Sequence, residues 1–280
     1  MNIFIFSSVR TYRTAPCTFY FLVAAIHQTF YVLIILISRI VTAVSGIDLT
    51  RISIIWCKAR YFFISTLSPI SYTCSCLATI DQFLTTSHNA YLRRASKIEW
   101  THRIVVIVII VWCLQGIPWL FFYNISSTSS TCVTTNAAFA IYVSIYLLGL
   151  LCVIPTLVLG IFGWLTYQNI RQTIVLAEQH ADRQLTKMIL IQVVLVLISI
   201  IPYGINNVYS VITSGVSKDA NRAMLESFIA TIVNLISYLY HVGNFYMFFM
   251  SSSRFRRTVK DRIFRWCRQN QIIPMQPTSM

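Results

Sequence analysis

Acidic residues, and charged residues in general, are scarce in this sequence. Asp and Glu together number 8 in 280 residues, and all charged residues make up 11%. The hydrophobic residues, at 56%, carry more apolar surface than one water-soluble core of this size buries. The mean hydropathy of +0.68 agrees. We therefore exclude a water-soluble globular fold and expect a protein whose natural solvent is lipid.

The sequence also lacks the residue patterns that carry enzymatic chemistry. It contains no glycine-rich phosphate loop, no nucleophile placed with a base, and no cluster of residues with metal-ligand spacing. His27 and Gln28 lie inside an apolar run, where we expect them to face other helices rather than to bind a metal. Paired acids and inverted repeats, which are typical of transporters, are missing too. We expect no enzyme, no metal and no cofactor.

What the sequence does contain is a series of long apolar runs. A hydrocarbon core of about 30 Å requires about 20 helical residues. Six runs of that length are bounded by charge, roughly at residues 17–44, 54–81, 104–123, 138–167, 187–212 and 224–250. The connections are short, and no linker leads to a second domain. We therefore predict one membrane domain over residues 1–250 and a polar tail over residues 251–280.

Basic residues are distributed unequally between the two sets of connections. Sixteen of the 22 Lys and Arg lie in one set and in the tail, which the positive-inside rule places in the cytoplasm. The connections at residues 46–53, 124–136 and 213–223 are then outside the cell. The net charge of +14 belongs to loops beside the membrane, so we do not expect a nucleic-acid partner.

Two features agree with that orientation. Asn124-Ile125-Ser126 is a glycosylation sequon in a predicted outside connection, although such triplets are common enough to arise by chance. Cys57 and Cys132 both lie next to spans on this same side, where an oxidising environment lets a disulfide persist. We expect this side to face the cell exterior.

The order of several residues resembles that of the rhodopsin-like G-protein-coupled receptors. The residues that carry the resemblance are Cys57, Asp81-Gln82-Phe83, Trp112, Cys132, Pro155, Pro202, Asn244 and Phe248. The spacing agrees, because 25 residues separate Cys57 from Gln82, where such receptors hold the arginine of their Asp-Arg-Tyr motif. The run Ile201-Pro202-Tyr203-Gly204 looks most similar to that of invertebrate orphan receptors related to peptide receptors.

The resemblance implies an all-α membrane bundle of the seven-transmembrane type. The six runs would be complete spans, residues 2–6 would be the inner end of a largely absent first span, and residues 254–268 would form an amphipathic eighth helix on the lipid surface. Near the end of that helix, Cys267 is either a palmitoylation site or a plain thiol. The implied location is the plasma membrane, with the C-terminus in the cytoplasm.

The resemblance also implies a disulfide and a ligand pocket. A Cys57–Cys132 bridge would hold an outer loop across the mouth of the bundle. The positions that match the family's pocket are Ile64, Ser65, Ser68, Tyr203, Asn207, Asn234 and Tyr238. Each of these side chains has interhelical packing as its alternative role. Ile64 stands where amine receptors keep an aspartate, and no lysine is present in the last span to bind retinal. Two classes of ligand remain: a ligand that binds an uncharged pocket, and a peptide.

The positions that match the family's activation machinery depart from its pattern. They are Asp81, Gln82, Phe83, Pro155, Pro202, Asn244 and Phe248. Gln82 replaces the arginine and carries no charge, which leaves Asp81 without its usual partner. The proline and the tyrosine of the last-span motif are replaced by Phe245 and Phe248.

Two functions follow from this mixture of matches and departures. One is a receptor that couples an extracellular ligand, a peptide or another non-amine, to a heterotrimeric G protein. The other is a signalling-deficient truncated receptor that acts as a binding or dimerising partner.

Overall fold

The computed structural model describes residues 16–126, 131–134, 136–173, 180–213, 218–251 and 256–257. The helices and strands, in chain order, are α1 (Pro16–Tyr31), a π-helical segment (Val32–Leu36), α2 (Ile37–Ser45), α3 (Leu49–Ile52), α4 (Ile54–Thr86), α5 (Ala90–Ala95), α6 (Ile98–Phe122), β1 (Tyr123–Ile125), β2 (Cys132–Thr134), α7 (Ala137–Ile145), a second π-helical segment (Tyr146–Val153), α8 (Ile154–Thr173), α9 (His180–Ile212) and α10 (Ala220–Ser251).

Six of the helices described are long and apolar enough to cross a membrane. We call them the first to sixth spans, and they are Pro16–Ser45, Ile54–Thr86, Ile98–Phe122, Ala137–Arg171, Lys187–Ile212 and Ala220–Gly243. Each contains or overlaps one predicted run, so the prediction of a helical multi-pass membrane protein is confirmed. The second span continues to Thr86 and the third begins earlier than predicted, at Ile98, because helical hydrogen bonding extends into polar and charged residues, where an apolar run stops.

The second span is the centre of the bundle. Its helix, α4, packs against α1, α6, α8 and α9. The most apolar window of this span is 61% buried, against 17% in the third span and 6% in the sixth. The contact with the third span is close at Gly116, where an added Cβ would clash with Thr66 Cγ2. A small residue lets these two helices approach each other there.

Two spans contain π-helical segments. The segment in the fourth span ends at Val153, just before Pro155, which has no N–H to donate to the preceding turn. Pro202 lies inside α9, which is α-helical on both sides of it. The segment Val32–Leu36 in the first span has no proline, and the sequence did not predict it.

The fold is not purely helical, because β1 and β2 form an antiparallel hairpin. Tyr123 pairs with Thr134 and Ile125 pairs with Cys132. The prediction of an all-α membrane bundle is confirmed as a fold class, and the hairpin is a small addition in one connection, where a short ladder satisfies backbone groups that no helix covers. The rest of the described chain is a helical membrane bundle.

Two sequence-based predictions lie outside the residues that the structure describes. They are the helical stub at residues 2–6 and, apart from helical Arg256 and Arg257, the amphipathic helix at residues 254–268 with Cys267. The side chains of Asn244 and Phe248 are also outside the described part, although both positions belong to α10.

Candidate ligand-binding cavity

The predicted disulfide between Cys57 and Cys132 is present, with the two Cα atoms 5.8 Å apart. Cys57 is fully buried in the first turn of α4, which begins after the capping residue Ser53. Cys132 belongs to β2, so the bridge fastens the hairpin to the second span. We call the end of the bundle that carries this bridge the disulfide end.

A cavity of about 210 Å³ opens between the spans at the disulfide end. All six spans and β1 contribute to its walls. The residues that line it are Tyr31, Arg39, Arg60, Tyr61, Ile64, Ser65, Ser68, Tyr72, Trp119, Tyr123, Val143, Tyr146, Leu147, Leu151, Cys152, Ser199, Ile200, Tyr203, Asn234, Ser237, Tyr238 and His241. Aromatic rings dominate, which is typical of small-ligand pockets.

The structure brings together six of the seven residues predicted for a pocket. Ile64, Ser65, Ser68, Tyr203, Asn234 and Tyr238 all line the cavity. Asn207 does not, because its Nδ2 donates to the Tyr203 carbonyl oxygen at 2.8 Å, one turn back along α9. The Asn207 amide is therefore occupied by a hydrogen bond within its own helix.

Several polar groups in the cavity wall are already bound by protein. The Ser65 hydroxyl donates to the Phe62 carbonyl at 3.0 Å, and Tyr146 donates its hydroxyl to the Ser65 carbonyl at 3.0 Å. Tyr31 and His241 stack with ring centroids 4.0 Å apart, while the buried Nδ1 of His241 has no hydrogen-bond partner among the described residues. These contacts hold the walls in place and leave few groups free.

The expectation of an uncharged pocket is wrong, because Arg39 and Arg60 line the cavity. None of the described lining residues is Asp or Glu. Sequence reasoning counted both arginines among the charges near the membrane surface and did not place them in the pocket. A charged side chain at the end of an apolar run is costly to expose to lipid. This cost favours a side chain that points into the bundle, and that was the available signal for placing both arginines in the cavity.

A second recess, of about 220 Å³, continues the cavity towards the hairpin. Its walls share Arg39, Arg60 and Tyr61 with the cavity and include Asp48 and Arg51. Asp48 Oδ1 accepts from the Thr50 backbone N–H at 2.9 Å and from the Thr50 hydroxyl at 2.7 Å. Partial burial raises the pKa of the Asp48 carboxyl, but these bonds, with Arg60 and Arg51 nearby, bring the pKa below its ordinary value.

The other end of the bundle, which we call the Asp81 end, holds three of the predicted activation residues, Asp81, Gln82 and Phe83. Asp81 is not left alone, since its Oδ1 accepts from the Ser96 hydroxyl at 2.5 Å and its carboxyl also receives the Cys17 backbone N–H. Gln82 is buried. Phe83 meets Phe162 edge to face, with centroids 5.5 Å apart. A hydroxyl and a backbone amide therefore take the place of a charged partner.

A buried polar cluster lies between the cavity and the Asp81 end. The hydroxyls of Ser75 and Tyr240 are 2.7 Å apart, and Gln192 Nε2 donates to Ser75 Oγ at 2.8 Å. Tyr240 also donates to the Ser71 carbonyl at 2.9 Å. The second, fifth and sixth spans are thereby joined, and the sequence analysis did not identify this cluster.

The predicted glycosylation position is on the surface. Asn124 is exposed in β1, with its own Oδ1 accepting from the Ile125 N–H at 2.8 Å. Within the described residues, no group of three His, Cys, Asp or Glu could hold a metal. The scan against protein-family models finds no match for this chain, and the search of curated proteins finds none either.

Proposed function

We propose that this chain is a rhodopsin-like receptor of the seven-transmembrane type. In this proposal it resides in the plasma membrane with its C-terminus in the cytoplasm, and it transmits the binding of an extracellular, non-amine ligand to a heterotrimeric G protein. The observation that carries the proposal is the cavity at the disulfide end, where six of the residues expected from the family's pocket meet beneath a disulfide-fastened hairpin.

The cavity is placed so that a ligand would act on the packing of the whole bundle. Its walls come from all six spans, and its floor includes Ser199 and Ile200, which precede Pro202 on α9. A ligand that contacts several helices favours whichever arrangement of those helices fits it better. The Ser75, Tyr240 and Gln192 cluster lies below, where a shift of the fifth or sixth span would alter its hydrogen bonds.

The central test is ligand-dependent nucleotide exchange on G proteins, measured in cell membranes with a panel of neuropeptides. We expect at least one ligand to stimulate exchange, and we expect Ser68→Phe, which fills the cavity, to abolish the response. Thr231→Phe, on an exposed face of the sixth span, is the matched control and should respond normally. A protein that reaches the surface and activates no G protein with any ligand would contradict the proposal.

Orientation and glycosylation have their own tests. A C-terminal epitope should be accessible to antibody only after the cells are permeabilised. An Asn124→Gln variant should lose the mobility shift that enzymatic deglycosylation produces in the unaltered protein. An epitope that is accessible on intact cells would reverse the proposed orientation.

A second candidate function is a signalling-deficient receptor that binds or dimerises only. Gln82, which has no charge, and the Ser96 partner of Asp81 favour it. The Gln82→Arg variant separates the two candidates. Exchange by the unaltered protein would exclude the deficient form, whereas ligand binding without exchange that Gln82→Arg does not restore would support it.

A further inference from the structure

We infer that the cavity takes a ligand with an anionic oxygen group on an apolar body, and that Arg60 and Arg39 bind this group. The inference rests on the proposed function, since it names the class of ligand for the same cavity. The ligand chemistry is that of a carboxylate or a phosphate, carried either by a small free acid or by the end of a peptide.

The first observation is an arginine without a partner. Arg60 is half-buried on α4, and its Nε is a buried nitrogen with no hydrogen-bond partner in the described structure. A guanidinium stays charged at all physiological pH values. A buried polar group without a partner is destabilising, and such groups in folded proteins require an explanation. A ligand that accepts this hydrogen bond provides one.

The second observation is that the neighbouring acids already have partners. In the recess, Asp48 bonds to Thr50, and its Oδ2 lies 3.8 Å from Arg51 Nε. Asp48 is within electrostatic range of Arg60, but no salt bridge joins them in the described structure. Across the disulfide end, Glu226 bonds to Lys218 at 2.5 Å and to Arg222 at 3.0 Å. The positive charge of Arg60 and Arg39 is therefore left for a ligand.

The third observation concerns the rest of the ligand. Apart from the arginines, the walls are largely aromatic and aliphatic, with the rings of Tyr31, Tyr61 and Tyr203 facing the space and Leu147 beside them. The volume of about 210 Å³ has room for roughly a dozen waters. That space suits one aromatic or aliphatic group beside the anionic group. A cationic ligand would be repelled by both arginines.

The test is a binding measurement on the purified full-length protein in lipid nanodiscs, followed by thermal unfolding. The probes are matched pairs that differ only in charge: 3-phenylpropanoate and its amide, and a tetrapeptide ending in Phe with a free or an amidated C-terminus. Phenyl phosphate serves as the phosphate probe. We expect at least one acid to raise the unfolding midpoint. Its uncharged partner should bind with an affinity at least about tenfold lower.

Substitutions locate the anion. Arg60→Gln should weaken binding of the acid about tenfold or more, because it removes a charged donor. Arg60→Lys should recover part of the affinity, since it keeps the charge but not the two-pronged geometry. Lys58→Gln is the matched control: it removes one charge two residues away on the same helix, from a side chain that lines neither cavity. It should bind normally.

The outcomes separate this inference from the proposed function. Equal binding of acids and amides, equal losses in Arg60→Gln and Lys58→Gln, or no stabilisation by any acid would overturn it. The comparison of acid with amide uses the unaltered protein, so it holds even if a variant fails to fold. Acids that bind, together with no exchange from any ligand of the panel, would defeat the receptor proposal alone. Exchange driven by an amidated or cationic ligand would defeat the inference alone.

Discussion

The two ends of the bundle differ in how their charged side chains are paired, while neutral polar atoms without a hydrogen-bond partner in the described structure, such as Gln192 Oε1, occur towards the Asp81 end as well. Towards the Asp81 end, Ser75 and Tyr240 bond to each other and to their neighbours, and the Asp81 carboxyl has the Ser96 hydroxyl. At the disulfide end, Arg60 Nε and His241 Nδ1 border a cavity and have no partner in the described structure.

In our proposal, the end with the paired acid contributes stability, and the end with the unpaired arginine receives the ligand. Satisfied polar networks rigidify a helical bundle. Unsatisfied charged groups weaken it, and proteins keep them where function requires them. At the end with the unpaired arginine, a covalent bond joins the hairpin to α4. The predictions that follow test this contrast, beginning with the largest expected effect.

Removing the disulfide should weaken the protein most. The double variant Cys57→Ser with Cys132→Ser is expected to lose about 2–5 kcal/mol of unfolding free energy, since the hairpin is no longer tied to the second span. Thermal unfolding in nanodiscs, followed by circular dichroism, measures the loss. Cys113→Ser, at an exposed free cysteine, is the control and should have no effect. An unchanged midpoint in the double variant would mean that the helices alone hold this end.

Breaking the polar cluster should have the next largest effect. Tyr240→Phe removes a hydroxyl that bonds to Ser75 and to the Ser71 carbonyl, and we expect a loss of about 1–2 kcal/mol. The control is Tyr91→Phe, because the Tyr91 side chain is 80% exposed. Equal midpoints for the two variants would show that the cluster adds no stability, and the contrast between the ends would fail.

Removing the unpaired charge should act in the opposite direction. We expect Arg60→Leu to stabilise the unliganded protein by about 0.5–1 kcal/mol, because a buried nitrogen without a partner is replaced by an apolar group. Arg51→Leu, at an arginine that pairs with Asp48 on the surface, should change stability by less than about 0.5 kcal/mol. A clear loss of stability in Arg60→Leu would indicate that this guanidinium supports the fold.

The smallest expected effect is a dependence on pH at Asp48. Its pKa is lower in the folded protein than the ordinary value of 3.8, so its stabilising contribution is complete above pH 3.8 and is lost as the pH falls through the lowered value. The difference in unfolding midpoint between the unaltered protein and Asp48→Asn should therefore be constant near neutral pH and shrink in acid. A difference that is independent of pH in this range would assign the contribution to packing.

Much of the architecture was predictable because a span is a local property. Twenty or so apolar residues bounded by charge predict a membrane helix wherever they occur, and all six predicted runs correspond to helices. Ile64, Ser65 and Ser68 were predicted to share a site, and they line one cavity. The hairpin was missed because its pairing joins Tyr123 to Thr134 across a loop, which no periodicity reveals.

The sequence by itself determined that lipid surrounds this protein, where the six described apolar helices lie, and where the two bridged cysteines lie. Hydropathy and spacing are local properties of the chain, so they can be read without the tertiary structure. Only the tertiary structure decided the charge of the cavity and the partner of Asp81. Arg39 and Arg60 reach the same space from different spans, and Ser96 meets Asp81 from a separate connection. The direction of a side chain around its helix depends on which helices pack against it, and that is settled only when the bundle assembles.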